Sequence, residues 1–418
     1  MPGSYARFLG RSCWALLLAA GCSGGGARSA VTPRPPTRAT APLPASASVC
    51  RFGGSEALPA ADANGRVRVP GNHPLVAYAG RVDCQASGGP MLGFVGASVR
   101  LRFKGTAVSL RLKDFGRETP QSTNYYDVSL DGAVPTLLEV SPANELYSLA
   151  SGLPDAEHQL EIFKRVEASP GGNAGAGRAQ VLGFELSGSA LLPVSPPTRR
   201  IEVIGDSITC GYGDEVSTED PSNARYTTRA SNGHRAYGAL TAALLGAQYS
   251  AVAYSGRGVS RNYAGMAGPL LPDLYLSSVP DDASASAWDP RQYTPDAVII
   301  NLGTNDFSTP GVDGAAFVQK YEQFLARLRG YYPRAVLLAA LGPMLSDYYP
   351  PGAQAWTNAR AGVNAAVAAR VQAGDHDVHV LFFEPQTPPY GEDWHPTVAT
   401  HEKMAQVLRA KLEELLGW

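Results

Sequence analysis

The sequence predicts a three-layer α/β/α domain built on a parallel sheet, preceded by an all-β, jelly-roll-like sandwich. Two observations carry this. Short runs with period-two alternation fill the region from Cys50 to Pro193, and beyond Pro197 apolar strands alternate with helical stretches. Period two places one strand face on a core and the other in water, whereas strand–helix alternation implies a parallel sheet covered on both faces.

In the first region the runs are Ser98–Phe103, Ala107–Leu112, Tyr126–Leu130 and His158–Phe163. Lys104-Gly105 and Asp131-Gly132 read as the turns that separate them. A Gly-rich connection runs from Ser169 to Gly177. No catalytic constellation is visible in this region, and a structural or a carbohydrate-contacting role both fit it. Pro193-Val194-Ser195-Pro196-Pro197 reads as a short stiff linker. The expected strands after it are Arg200–Ile204, Gln248–Ala253, Asp296–Ile300, Ala335–Ala339 and Val378–Phe382. The expected helices are Tyr237–Leu245, Ala315–Arg329, Asn358–Val371 and Thr400–Leu416. The expected organisation is therefore residues 49–193 and 198–418 as two folded regions.

The N-terminus reads as an export signal over residues 1–22. Arg7 and Arg11 precede a short apolar run, Cys13 to Ala20, too short to span a bilayer. Leu18-Ala19-Ala20-Gly21-Cys22 resembles a bacterial lipoprotein box with Cys22 as the lipidated residue, although Ala19 stands where a large aliphatic is usual. Residues 23–48 are Gly, Ser, Ala, Pro, Thr and Arg with almost no large apolar side chain, the composition of a tether. Cys50 and Cys84 lie at the start of the first folded region and can pair in an oxidising compartment. Both pairing and free thiols stay open for them. A formal net charge of −2 with scattered Lys and Arg argues against a nucleic-acid binder and against electrostatic membrane binding. The expected location is the cell envelope as a lipoprotein, with ordinary signal cleavage and secretion as the alternative, and membrane association is expected only through the N-terminal lipid anchor.

In a parallel sheet, function gathers in the loops at the carboxyl ends of the strands. Four such loops carry Gly205-Asp206-Ser207-Ile208-Thr209, Ser255-Gly256-Arg257-Gly258, Gly303-Thr304-Asn305-Asp306 and Asp393-Trp394-His395-Pro396. A serine hydroxyl needs a base within hydrogen-bond reach. His395 is the candidate base, Asp393 the candidate group that orients it, and the N–H groups of Ser207 and Gly256 with the Asn305 amide are candidate donors to an oxyanion.

These blocks resemble the SGNH (GDSL-like) hydrolase superfamily. Ser207, Gly256, Asn305 and His395 match its four signature positions, over about Arg200 to Trp418. The resemblance implies a flavodoxin-like domain and a carboxylic ester hydrolase working through an acyl-enzyme. One departure stands out. The superfamily places its Asp three residues before the His, where this chain has Glu392, and Asp393 is two before. Asp-Trp-His-Pro behind a β-sandwich is similar to carbohydrate esterase family 2, two-domain acetyl esterases of plant polysaccharides, some of which work with a Ser–His dyad. The resemblance therefore implies an acetylated oligo- or polysaccharide as substrate, and the presence of Asp393 favours a Ser-His-Asp triad, with a Ser–His dyad as the alternative. Another SGNH esterase, acting on lysophospholipid, short-chain lipid or bacterial cell-wall or capsule acetyl groups, is the alternative, and a catalytically dead glycan-binding protein the minor one. Trp394, Trp356, Tyr348 and Arg257 are candidate substrate contacts, with a surface salt bridge as the competing role for Arg257. No cofactor and no metal site are expected, since His376 and His379 flank the start of the last strand, away from the loops.

Overall fold

The computed structural model describes residues 48–418. The export segment, Cys22 and the tether as far as residue 47 lie outside the described residues. The described residues form one compact unit that contains two sheets.

The first sheet is antiparallel throughout its ten strands. Its longest member, Ser98–Asp114, pairs with Ala179–Leu192 along most of its length. On its other side it pairs first with Ala156–Lys164 and then with Leu146–Ala150. Val99, Leu101 and Phe103, and then Val108, Leu110 and Leu112 with the alternation shifted by one residue, pack in the core with Tyr78, Tyr126, Ile162 and Phe184. The expected Lys104-Gly105 turn is not there; the strand runs straight through it. Gly105 is instead a close approach, because the Ser187 carbonyl and Gly188 occupy the space a Cβ would need, and the pairing register slips there. Asp131-Gly132 is a turn, with φ of 54° and 74° at its two residues, the left-handed pair that a tight hairpin requires. Cys50 and Cys84 are joined in a disulfide, while Cys210 is a buried free thiol.

The second sheet is fully parallel. Its order is Ala247–Ala253, Arg199–Gly205, Ala297–Asn301, Val336–Leu341, Val378–Phe382, the 2-1-3-4-5 winding of flavodoxin-like proteins. The apolar runs are continuous because both faces are covered. Ile204, Val298, Ile300, Leu337 and Leu341 pack under helices Gly314–Tyr331 and Ala355–Gln372. Ile201, Val203, Ile299, Leu338 and Ala340 pack under Tyr237–Leu244 and Val398–Leu416. The expected α/β/α domain behind an all-β sandwich is the observed fold.

The two sheets are locked together by charge as well as by apolar surface. Arg81, from the all-β part, reaches Glu202 on the central parallel strand at 3.0 Å, and both are fully buried. The Tyr275 hydroxyl donates to the same carboxylate at 2.6 Å, and the Tyr275 and Trp288 rings cover the guanidinium. A second crossing joins Arg165 to Glu215 at 2.6 Å.

Candidate active site

The strand Arg199–Gly205 ends where Gly205 has no room for a side chain against Thr209. Asp206 then caps a one-turn helix, Ser207–Cys210, by accepting from the Ile208 N–H at 3.0 Å. Gly211 closes the turn at φ 68°, pressed on the Asn232 carbonyl. Ser207 is thus held on a tight strand-to-helix corner.

His395 arrives from the other end of the chain and brings Nε2 to 2.8 Å from the Ser207 hydroxyl. Its Nδ1 lies 3.0 Å from the Glu392 carbonyl oxygen. A carbonyl can only accept, so Nδ1 carries the hydrogen and Nε2 presents its lone pair to Ser207. The Tyr212 ring stacks on the imidazole, with centroids 4.0 Å apart and planes 20° apart. Burial pulls the His395 pKa down to about 4, although the Glu392 carbonyl works in the opposite direction. The ring is therefore neutral, the form a general base needs.

The Asp393 carboxylate makes no hydrogen bond to this imidazole, contrary to the expectation, although its charge and its main chain both act to raise the His395 pKa. Its carboxylate accepts from the Tyr212 hydroxyl at 2.8 Å and the Tyr226 N–H at 3.2 Å, and pairs with Arg225 at 2.8 Å. Asp393 and Trp394 both adopt left-handed backbone, φ 46° and 60°. Burial works to raise the Asp393 pKa, but hydrogen bonds from Arg225, Tyr212 and the Tyr226 N–H outweigh it and hold the group below its usual range. Glu392 supplies the orienting acceptor through its main chain. Its side chain is clamped by the Thr227 N–H at 2.7 Å and hydroxyl at 2.8 Å, and its N–H by the Gly213 carbonyl at 3.1 Å. A Cβ at Gly213 would collide with the Glu392 side chain.

Asn305 follows Gly303, whose φ of 125° turns the chain out of its strand. The Asn305 amide donates to Asp206 at 3.2 Å and to the Arg257 carbonyl at 3.0 Å, which ties three of the four loops together. Burial raises Asp206 to about 7. Gly256 has φ 77°, and its N–H donates to no acceptor among the described residues. The loop beyond it is gathered by Asp306, which accepts from the N–H groups of Val259, Ser260 and Arg261 at 2.7–3.0 Å.

The four candidate substrate contacts part company. Trp394 is half exposed beside His395. Tyr348 stands almost fully in solvent. The Arg257 guanidinium lies over the Tyr254 ring and donates to the Ala267 carbonyl at 3.3 Å. Trp356 is a core residue: it is buried on helix Ala355–Gln372, edge-on to Phe382, so its expected substrate contact is corrected. Tyr212, Thr227 and Asp306 went unnoticed as site residues. Tyr212 and Asp306 had a signal, since each lies within five residues of a motif position. Among the described residues, no cluster of three or more His, Cys, Asp or Glu is placed to hold a metal ion.

A Ser–His pair on the carboxyl edge of a 2-1-3-4-5 sheet, with amide donors gathered beside it, is the architecture of a serine acyl hydrolase. The model of the GDSL-like lipase/acylhydrolase family matches residues 203–403, and that of the carbohydrate esterase 2 N-terminal region matches 78–196. The cellulase/esterase CelE of Acetivibrio thermocellus is 37% identical over 354 residues, 83% of this chain. An acetylxylan esterase / glucomannan deacetylase of Cellvibrio japonicus is 28% identical over 358 residues, 84% of this chain and 91% of its own. A solved family two carbohydrate esterase from Clostridium thermocellum, in complex with cellohexaose, is 36% identical. It superposes with a TM-score of 0.73 over 82% of this chain and 99% of its own. The chain belongs to carbohydrate esterase family 2. It spans 40% of the length of the thermocellus cellulase/esterase.

Proposed function

We propose that the chain is an exported esterase that removes O-acetyl groups from carbohydrate through an acyl-enzyme on Ser207. The observation that carries the reading is the 2.8 Å contact between Ser207 and the neutral, correctly tautomeric His395. His395 Nε2 takes the hydroxyl proton as Ser207 Oγ bonds to the acetyl carbonyl carbon. The oxyanion is met by the Ser207 and Gly256 N–H groups and by the Asn305 amide, which exchanges its 3.2 Å bond to Asp206 for the oxyanion, each such donor worth about 2.7–4 kcal/mol. The C–O bond to the sugar breaks, and the sugar oxygen leaves with the proton from His395. Water, deprotonated by the same imidazole, bonds to the acyl carbon, the Ser207 Oγ–C bond breaks, Oγ takes the proton back from His395, and acetate leaves. The acid-orienting role falls to the Glu392 carbonyl, so the unit works as a dyad. An acetylated xylan or glucomannan as substrate is supported by the name of the Cellvibrio relative, and a β-linked glycan at the site by the cellohexaose complex of the Clostridium one; a 6-O-acetyl sugar belongs to the same proposal. Export is supported by the signal-like N-terminus and by the Cys50–Cys84 disulfide. Lipidation at Cys22 belongs to the same proposal.

The test is acetate release from acetylated xylan, glucomannan and 6-O-acetyl glucose by the wild type and Ser207→Ala. Release by the wild type and a loss of about four orders of magnitude in the variant are expected. Labelling of Ser207 by an organophosphate without release from any of these would keep the ester chemistry and redirect the substrate to lipid or cell-wall glycan.

A further inference from the structure

The all-β part places one carboxylate at the back of the catalytic loops. Glu167 follows strand Ala156–Lys164 and is almost wholly buried. Its Oε2 accepts from the Ser255 N–H at 2.9 Å and its Oε1 from the Ser255 hydroxyl at 2.6 Å. Cys210, the last residue of the Ser207 helix, points its thiol at Oε2 from 3.8 Å. The same carboxylate therefore touches both the helix that carries the nucleophile and the loop that carries Gly256. Lys164, also buried, donates to the main-chain carbonyls of Val166 and Glu167 and fixes the turn from which the side chain springs. Tyr254, one residue further back, donates to Asp281 at 2.6 Å, and Ser169 of the all-β part donates to that same carboxylate.

Ser255 contributes one side of the peptide bond whose nitrogen is Gly256 N. Gly256 itself has no side chain and a backbone that is free to swing. Its direction is set by its neighbours, and Ser255 is pinned at two atoms by one rigid acceptor. We propose that Glu167 is a positioning residue for ester hydrolysis, holding Ser255 so that the Gly256 N–H is aimed at the oxyanion. This rests on the esterase reading above. It gives the all-β part a share in the chemistry: the loop that stabilises the transition state is braced from outside the α/β part. The competing role is a buried counter-charge for Lys164 that only joins the two parts.

Substitutions separate the two roles. Gln at this place can still accept from the Ser255 N–H through its carbonyl and donate its amide to the Ser255 hydroxyl, but it carries no charge. Ala keeps neither bond. Turnover is measured on a soluble acetate ester, per Ser207 titrated to its end point with an organophosphate, with melting temperature followed in parallel. For Glu167→Ala, kcat is expected to fall about tenfold to a hundredfold with KM within about twofold, part of the loss seen when an oxyanion donor is removed. Glu167→Gln is expected to recover most of that kcat. Equal losses in the two variants, or an unchanged kcat per titrated site in Glu167→Ala, would overturn the proposal. Should Glu167→Ala fail to fold, Ser255→Ala decides the matter from the other side. A fall of about tenfold in kcat at constant KM supports the brace, and an unchanged kcat removes it. A wild type that neither labels at Ser207 nor releases acetate overturns the esterase reading together with this inference. An active wild type with indifferent variants overturns the inference alone.

Discussion

His395 is held on three sides by groups of different kinds: a main-chain carbonyl fixes its tautomer, an aromatic face fixes its plane, and Ser207 takes the remaining nitrogen. Because the orienting acceptor is main chain, no single side-chain deletion removes it. Asp393→Asn is therefore expected to lower kcat by less than about tenfold, against the roughly 10⁴-fold loss typical where a carboxylate fixes the tautomer. Steady-state kinetics on an acetate ester decides between these. The lowered pKa has a sign that can be followed. A depressed histidine stays neutral as pH falls below 6.5, so the base persists down to about 4. The acidic limb of kcat/KM is expected near that value, with about a tenfold fall per pH unit beyond it. A limb near 6.5, with near-UV circular dichroism unchanged, would mean that the imidazole is solvated. Neither feature was legible in the sequence. The partners that hold the Asp393 carboxylate, Tyr212, Arg225 and the Tyr226 N–H, lie more than 160 residues away along the chain, and Trp356 on a helix reads the same whether it faces core or cleft.

At the scale of elements, the parallel strands and their helices were legible almost to the residue. A strand buried on both faces must be an unbroken apolar run, and Ala247–Ala253 and Ala297–Asn301 are such runs. The all-β region was harder. Lys104-Gly105 has the composition of a turn, and only the opposing Ser187 backbone reveals that the glycine is there to let two strands touch. The corner glycines work the same way at the site. Gly213 sits at φ 57° with Glu392 filling the space beside it. Gly213→Ala is expected to push the Glu392 segment away, lowering kcat by at least about tenfold and stability by about 1–3 kcal/mol. Kinetics and denaturant titration of the one variant test both halves of this statement.

Across the whole molecule, the four motif loops were legible because each lies at the end of a strand, and topology alone brings them to one edge. The contacts between the sheets were not, because Arg81, Arg165 and Glu167 lie far from their partners along the chain and carry no local pattern. Their energetic weight is open to measurement. Arg81→Ala leaves Glu202 as an uncompensated buried charge, and is expected to cost about 3–5 kcal/mol by denaturant unfolding. A change below about 1 kcal/mol would show that water reaches the pair.

The stretch from Pro193 to Pro197, with its run of prolines, looks like the natural place to exchange one half of the gene for a relative's. A crossover there would strand Glu202, Glu215 and Ser255, whose buried partners come from the other side of the cut, and would also part Phe94, Phe163, Trp288 and Tyr293 from the cores they pack into across it. The two halves are then heritable only as a matched pair, and substitutions at Arg81, Arg165 or Glu167 should be tolerated in descent only alongside compensating changes in the α/β half.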